Sequence, residues 1–198
     1  MKQRKAQIKR KTKETDISIE INLDGTGEAA ISTGNGFLDH LLNQLSRHGL
    51  IDLNIKAIGD VETGWHHTVE DIGISLGRVF RDAIGEARGI IRMGHALVPL
   101  DEALAQVAID ISGRGHAALD TKFTHATVEG LPSDLIGHFL EAFATEAKVT
   151  LHANILAGVN DHHKAEALFK ALAKALMDAI RIDKRMEHEI PSTKGTLN

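Results

Sequence analysis

Two short stretches of this chain repeat one chemistry-bearing spacing: His66-His67-x-x-Glu70 and His162-His163-x-x-Glu166. On a helix, residues three and four apart share a face, with Cβ atoms about 5–6 Å apart. That separation suits two ligands converging on one ion. Adjacent histidines on a helix point about 100° apart. The two members of each doublet are therefore poorly placed to share a metal and well placed to serve two. Imidazole with carboxylate and no sulfur suits Mn²⁺, Fe²⁺ or Zn²⁺. Two carboxylates and open positions favour six-coordinate Mn²⁺.

The doublets sit in register. Residues 66–84 laid on 162–180, at an offset of 96, match at seven of nineteen positions, including both histidines and the glutamate. Upstream, LDHLLNQL aligns with IGHFLEAF at an offset of 98, which sets His40 against His138. Each half thus carries a histidine, about 25 residues and then His-His-x-x-Glu. The expected ligand set is His40, His66, His67, Glu70, His138, His162, His163 and Glu166, shared between two ions. The economical pairing takes one histidine from each doublet to each metal, with His40 and His138 completing the shells. Asp39 and Asp71, beside ligand residues, are candidates for orienting the imidazoles.

Composition narrows the alternatives. The chain has 198 residues, 42% hydrophobic and 25% charged, an ordinary globular balance. A formal net charge of −4 gives no case for nucleic acid. No apolar run approaches the ~20 residues that span a bilayer, and no signal-peptide pattern opens the chain, so no membrane role is expected. Cysteine is absent, which excludes disulfides, thiolate metal sites and thiol nucleophiles. The cytoplasm is the expected compartment. Twelve histidines against no tyrosine is the one unusual feature. His48, His95, His116, His125, His152 and His188 have no repeat partner and read as surface or loop residues.

The elements that must position these groups follow from periodicity. Seven Lys or Arg in the first thirteen residues, Lys2 among them, read as a solvated edge strand with a frayed start. Alternation at Ile17, Ile19, Ile21 and Leu23 predicts a half-buried strand, with Asp24-Gly25 as a hairpin turn. Gly25-Thr26-Gly27 opens strand and turn, not helix, so a dinucleotide fingerprint is rejected. Helices are predicted at Phe37–His48, His67–Ala87, Leu135–Ala147 and His163–Ile180, and strands at 51–58, 103–111 and 149–156. Pro99 reads as a break. These elements predict an α+β fold: a tandem repeat of two similar halves, 1–91 and 92–185, each a small mixed sheet with two helices packed on one face, plus a tail at 186–198.

GFLDHLLNQLSRHG, HHTVED, DEALAQVAIDISGRG, the second His-His-x-x-Glu with ALFKAL, and the terminal PSTKG closely resemble the imidazoleglycerol-phosphate dehydratase family of histidine biosynthesis. The resemblance covers essentially the whole chain. It implies two Mn²⁺ per active site, sites at subunit interfaces and a homo-oligomeric shell of 24 subunits. It implies Glu14 of TKET against the substrate, with Gln44, Arg92, Arg114, Lys170, Ser192 and Lys194 as further substrate or phosphate contacts. Glu70 and Glu166 are left as alternative proton shuttles beside Glu14. Trp65 and the Gly115-His116 pair depart from the family pattern without removing a ligand.

The implied substrate, imidazoleglycerol phosphate, must lose water to give imidazole acetol phosphate. The proton to be removed sits on a carbinol carbon with no carbonyl to acidify it. Lewis acids at both ring nitrogens would favour the imidazolate, which can expel the side-chain hydroxyl to give a diazafulvene. That electrophile acidifies the neighbouring C–H. A two-metal hydrolase or a non-catalytic metal store would share the ligands, but neither accounts for the phosphate-type residues.

Overall fold

The computed structural model describes residues 3–197; Lys2 and Asn198 lie outside them. The first half runs β1 (Lys5–Lys11), β2 (Thr15–Asn22), β3 (Ala29–Ser32), α1 (Gly36–Gly49), β4 (Asp52–Gly59) and α2 (His66–Ile84). The second runs β5 (Met93–Leu100), β6 (Ala103–Asp110), β7 (His116–Asp120), a short ribbon of β8 (Thr127–Val128) and β9 (Leu131–Pro132), α3 (Asp134–Ala147), β10 (Thr150–Ala157) and α4 (Asp161–Ile180). The sheets have the same order, β1-β2-β4-β3 and β5-β6-β10-β7. Each is mixed: β3 and β7 lie parallel to their neighbours and the other pairings are antiparallel. Thus the α+β tandem repeat expected from periodicity is the observed architecture.

Alternating burial along β2 and β6 gives each sheet one apolar face, and the helices cover it. Each helix also packs on a helix of the other half, α1 on α4 and α2 on α3. One hydrophobic core runs through both halves, with Phe80, Phe139, Phe143 and Phe169 fully buried. The α2–α3 crossing depends on missing side chains. A Cβ at Gly77 would lie 2.7 Å from the Phe143 carbonyl oxygen and 2.8 Å from the Ala147 nitrogen, and one at Gly73 would lie 2.8 Å from the Phe139 oxygen.

Several local expectations need correction. Asp24-Gly25 is not a hairpin turn, because β3 pairs with β4 and not with β2. The Asp52 carboxylate accepts the amides of Thr26, Gly27 and Glu28, and so carries the chain across the end of β4. Helix α2 stops at Ile84, not Ala87, at a left-handed Gly85 (φ 61°). Pro99 does not break the chain. It sits within β5, an edge strand, where its missing N–H costs no ladder bond. Within the basic start, Lys5–Lys11 forms β1, an edge strand of the first sheet; Lys2 lies outside the described residues.

Gly77→Ala tests the crossing. Helix propensity alone favours Ala by about 1 kcal/mol, whereas forcing a methyl against two backbone atoms costs about 1–3 kcal/mol. A lower midpoint of denaturant unfolding is expected.

Candidate metal and substrate site

The doublets and His40 stand in the first turns of their helices. Asn35 caps α1 by accepting the amides of Phe37 and Leu38, and Asn160 caps α4 by accepting those of His162 and His163. Because α1 packs on α4, His40 meets the second doublet. His40 Nε2 donates to Glu166 Oε2 at 2.9 Å, and His162 Nε2 lies 3.4 Å from the same oxygen. One atom from each of these three residues falls within 4.8 Å of the others. Among the described residues this is the tightest His/carboxylate group.

The counterpart cluster uses the same logic on α2 and α3. His66 Nε2 lies 3.8 Å from Glu70 Oε2, and the His66 and His138 rings are 5.1 Å apart. This group is more open than the first. In one chain, therefore, the doublets do not meet each other as the sequence suggested. Each gives its first histidine to the upstream histidine of the opposite half, because the helices pack crosswise. The second members, His67 and His163, turn away, as the 100° rotation requires. The pairs His66–His67 and His162–His163 both stand edge to face, at 88°.

Carboxylates hold the outlying rings. His67 Nδ1 donates to Asp60 (3.1 Å), which also accepts the Thr63 hydroxyl. His163 Nδ1 donates to Glu102 Oε2 at 2.8 Å, while Glu102 Oε1 accepts the amides of Val159 and Asn160. These bonds raise the pKa of both imidazoles. The His163 bond and the amides bring Glu102 down to about 2. Sequence reasoning missed Asp60 and Glu102. The residues it named instead do other work. Asp39 accepts from Thr33, and Asp71 accepts from Thr15 and Arg10. Lys170 pairs with Glu166 Oε1 at 2.6 Å. Burial pushes the Glu166 carboxyl up, but the hydrogen bonds from Lys170 and His40 outweigh it and hold it at about 2. Glu14 is half exposed, 4.0 Å from His67 Nδ1. Gln44 is one helical turn beyond His40. One turn further, His48 is half-buried, its pKa lowered by burial and by Lys170 and Lys174.

Four of the phosphate-type residues converge elsewhere. Arg92, Arg114, Ser192 and Lys194 line one cavity of about 190 Å³, with Ser112 and Thr193. Arg92 has a left-handed backbone (φ 75°), and its guanidinium grips Asp110 and the Pro191 carbonyl, tying the tail to the start of β5. The Arg92 amide bonds the carbonyl of Ala179, near the end of α4. His162 lies seventeen residues earlier, so at 1.5 Å per residue the cluster and the cavity are about 25 Å apart along that helix. Lys170 and Gln44 do not line the cavity.

A family model described as imidazoleglycerol-phosphate dehydratase matches residues 33–176. The chain belongs to that family. The imidazoleglycerol-phosphate dehydratase of Dehalococcoides mccartyi strain CBDB1 is 55% identical over 197 residues, covering 100% of this chain and 99% of its own. That of Nitrosomonas eutropha is 53% identical over 194 residues, 98% of this chain and 100% of its own. Among solved structures, the dehydratase of Staphylococcus aureus N315 superposes with a TM-score of 0.82 at 34% identity, over 90% of this chain and 99% of its own. The Pyrococcus furiosus enzyme, in complex with (S)-C348, gives 0.82 at 36% identity, over 96% of this chain and 99% of its own.

A buried ion pair stands at the start of α4, next in sequence to His162 and His163. Asp161 accepts Lys164 Nζ at 2.8 Å, together with the amides of Thr124 and His125 and the His125 ring. Burial opposes the Asp161 charge, but these donors hold its pKa well below the carboxylate range. Its stabilising effect is therefore present above the unfolded pKa of about 3.9 and lost as pH falls through the folded value. Asp161→Ala leaves Lys164 buried and unpaired, and should cost about 3–5 kcal/mol. The double variant with Lys164→Met should lose less, as denaturant melts at neutral pH will show.

Proposed function

We propose that this chain dehydrates imidazoleglycerol phosphate in the cytoplasm with a pair of divalent ions, Mn²⁺ by preference, at sites completed between copies of itself. The dehydration to imidazole acetol phosphate, in histidine biosynthesis, follows from the family to which the chain belongs. The observation that carries the metal reading is the convergence of His40 Nε2, His162 Nε2 and Glu166 Oε2. The donor set fits such an ion. It is sulfur-free, it includes a carboxylate held ionised by Lys170, and it has a pseudo-equivalent in His66, Glu70 and His138. His67 and His163, turned away from these clusters, supply the remaining imidazoles. When bound, the ions would withdraw electron density from the two ring nitrogens and favour the imidazolate.

The chain's own groups do the rest. Arg92, Arg114, Ser192 and Lys194 present cations and donors to a phosphate. Arg92 also fixes the tail segment that carries Ser192 and Lys194. Glu14 stands half exposed beside His67, and in this reading it orients the carbinol hydroxyls or accepts a proton. Glu166, held at about 2, is a weak base; Glu70, with Ile74 where Glu166 has Lys170, lacks that cationic partner one turn on.

Distance supports the assembly. Three carbons link ring to phosphate, and at about 1.5 Å per bond they reach less than half of the roughly 25 Å between the cluster and the cavity of one chain. A second copy must bring its cavity to the first copy's ions. Such pairing joins two different patches, and it builds a closed homo-oligomer where the rotation between copies closes; a shell of 24 subunits is the size we propose.

Turnover of imidazoleglycerol phosphate, read as ketone formation, should vanish with a strong chelator and return with Mn²⁺. Glu14→Gln should keep its metal and lose turnover by 10²-fold or more, on the scale of general acid–base catalysis. Chelator-resistant turnover would contradict the metal reading, and unchanged turnover in Glu14→Gln would remove that residue's role.

A further inference from the structure

The two halves hold their outlying histidines by different means, although they repeat in sequence. In the second half the carboxylate comes from the β5–β6 turn, as Glu102. The matching turn of the first half, β1–β2, carries Glu14 just before β2, as Glu102 stands just before β6. Glu14, however, stays 4.0 Å from His67 Nδ1, beyond hydrogen-bond range, and it is Asp60, after β4, that binds this ring. Asp60 and Glu102 are each secured in turn, by the Thr63 hydroxyl and by the amides of Val159 and Asn160.

We infer that Asp60 and Glu102 are positioning residues: each engages Nδ1–H of an outlying histidine, fixing the ring and its tautomer so that Nε2 is the ligating atom. A carboxylate on the far nitrogen orients an imidazole and raises its basicity toward an ion. For His163, Asp101 Oδ2 stands 4.0 Å from Nε2, too far for a hydrogen bond. The substitution of Asp60 for the turn glutamate has a further consequence. Glu14, relieved of holding His67, remains half exposed and available to substrate, while its counterpart Glu102 is committed to His163. Of the two matched turn glutamates, Glu14 and Glu102, only Glu102 is within hydrogen-bond range of its doublet's outlying histidine. The inference rests on the metal reading above.

Mn²⁺ titration of the chelator-stripped, full-length assembly, followed by the electron-paramagnetic signal of free Mn²⁺, tests it. Asp60→Ala and Glu102→Ala should each weaken binding about 10–100-fold. Asp60→Asn and Glu102→Gln, whose amide oxygens still accept from Nδ1–H, should recover part of that loss. His67→Ala is the control. If it weakens Mn²⁺ while the Asp60 and Glu102 alanine variants bind as wild type, positioning is overturned and the metal reading stands. If His67→Ala itself binds as wild type, the metal reading fails and positioning falls with it. Should the alanine variants not fold, the amide variants decide: a severalfold loss supports the inference, and wild-type affinity in both overturns it.

Discussion

The crosswise packing of helices between halves is the constraint on which the rest depends. Each half buries one face of its sheet beneath two helices, and those helices bury their remaining apolar faces on the helices of the other half. The approach is close at α2–α3 because Gly73 and Gly77 offer no side chain to the α3 backbone. Since the histidines occupy helix starts, this packing decides which of them meet. His40 comes to His162 and Glu166, and His138 comes to His66. A half folded alone would hold only one or two of the three residues of each cluster.

The same helices impose a separation. Helix α4 carries His162 and Glu166 at its start, and near its end the Ala179 carbonyl receives the Arg92 amide. A straight helix does not bring its ends together. On the proposed assignment, ring-binding groups at the helix starts and phosphate-binding groups in the cavity lie too far apart in one chain for a small substrate, and that reading makes association part of the chemistry. The contacts of Arg92 with Asp110 and the Pro191 carbonyl hold the cavity wall in place; under the proposed assembly, such a pre-ordered cavity loses less freedom when a neighbour binds.

Much of this was legible in the residues. The repeated spacing located both clusters, apolar spacing found the four helices, and alternation found β2, β4, β6 and β10. Periodicity reports which face of a helix is apolar, but not which helix will cover it, so the crosswise pairing of His40 with His162 was not legible. Asp60 and Glu102 were hidden for a related reason. They act from turns, across 7 and 61 residues of chain, where no spacing rule connects an acid to a ring. Asp24-Gly25 carried a genuine turn signal, but the Asp52 carboxylate redirected that turn into a crossover. Pro99 was misread because a break and an edge strand both tolerate a missing N–H.

Co-assembly of two inactive chains addresses the central claim most directly, that ion-binding and phosphate-binding groups acting on one substrate belong to different copies. One chain carries His162→Ala, the other Arg92→Ala, and the two are co-expressed and isolated as mixed oligomers. A shared site predicts that mixed oligomers regain dehydratase turnover that neither parent has, since some sites draw an intact cluster from one chain and an intact cavity from the other. Mixed oligomers as inactive as their parents would contradict it.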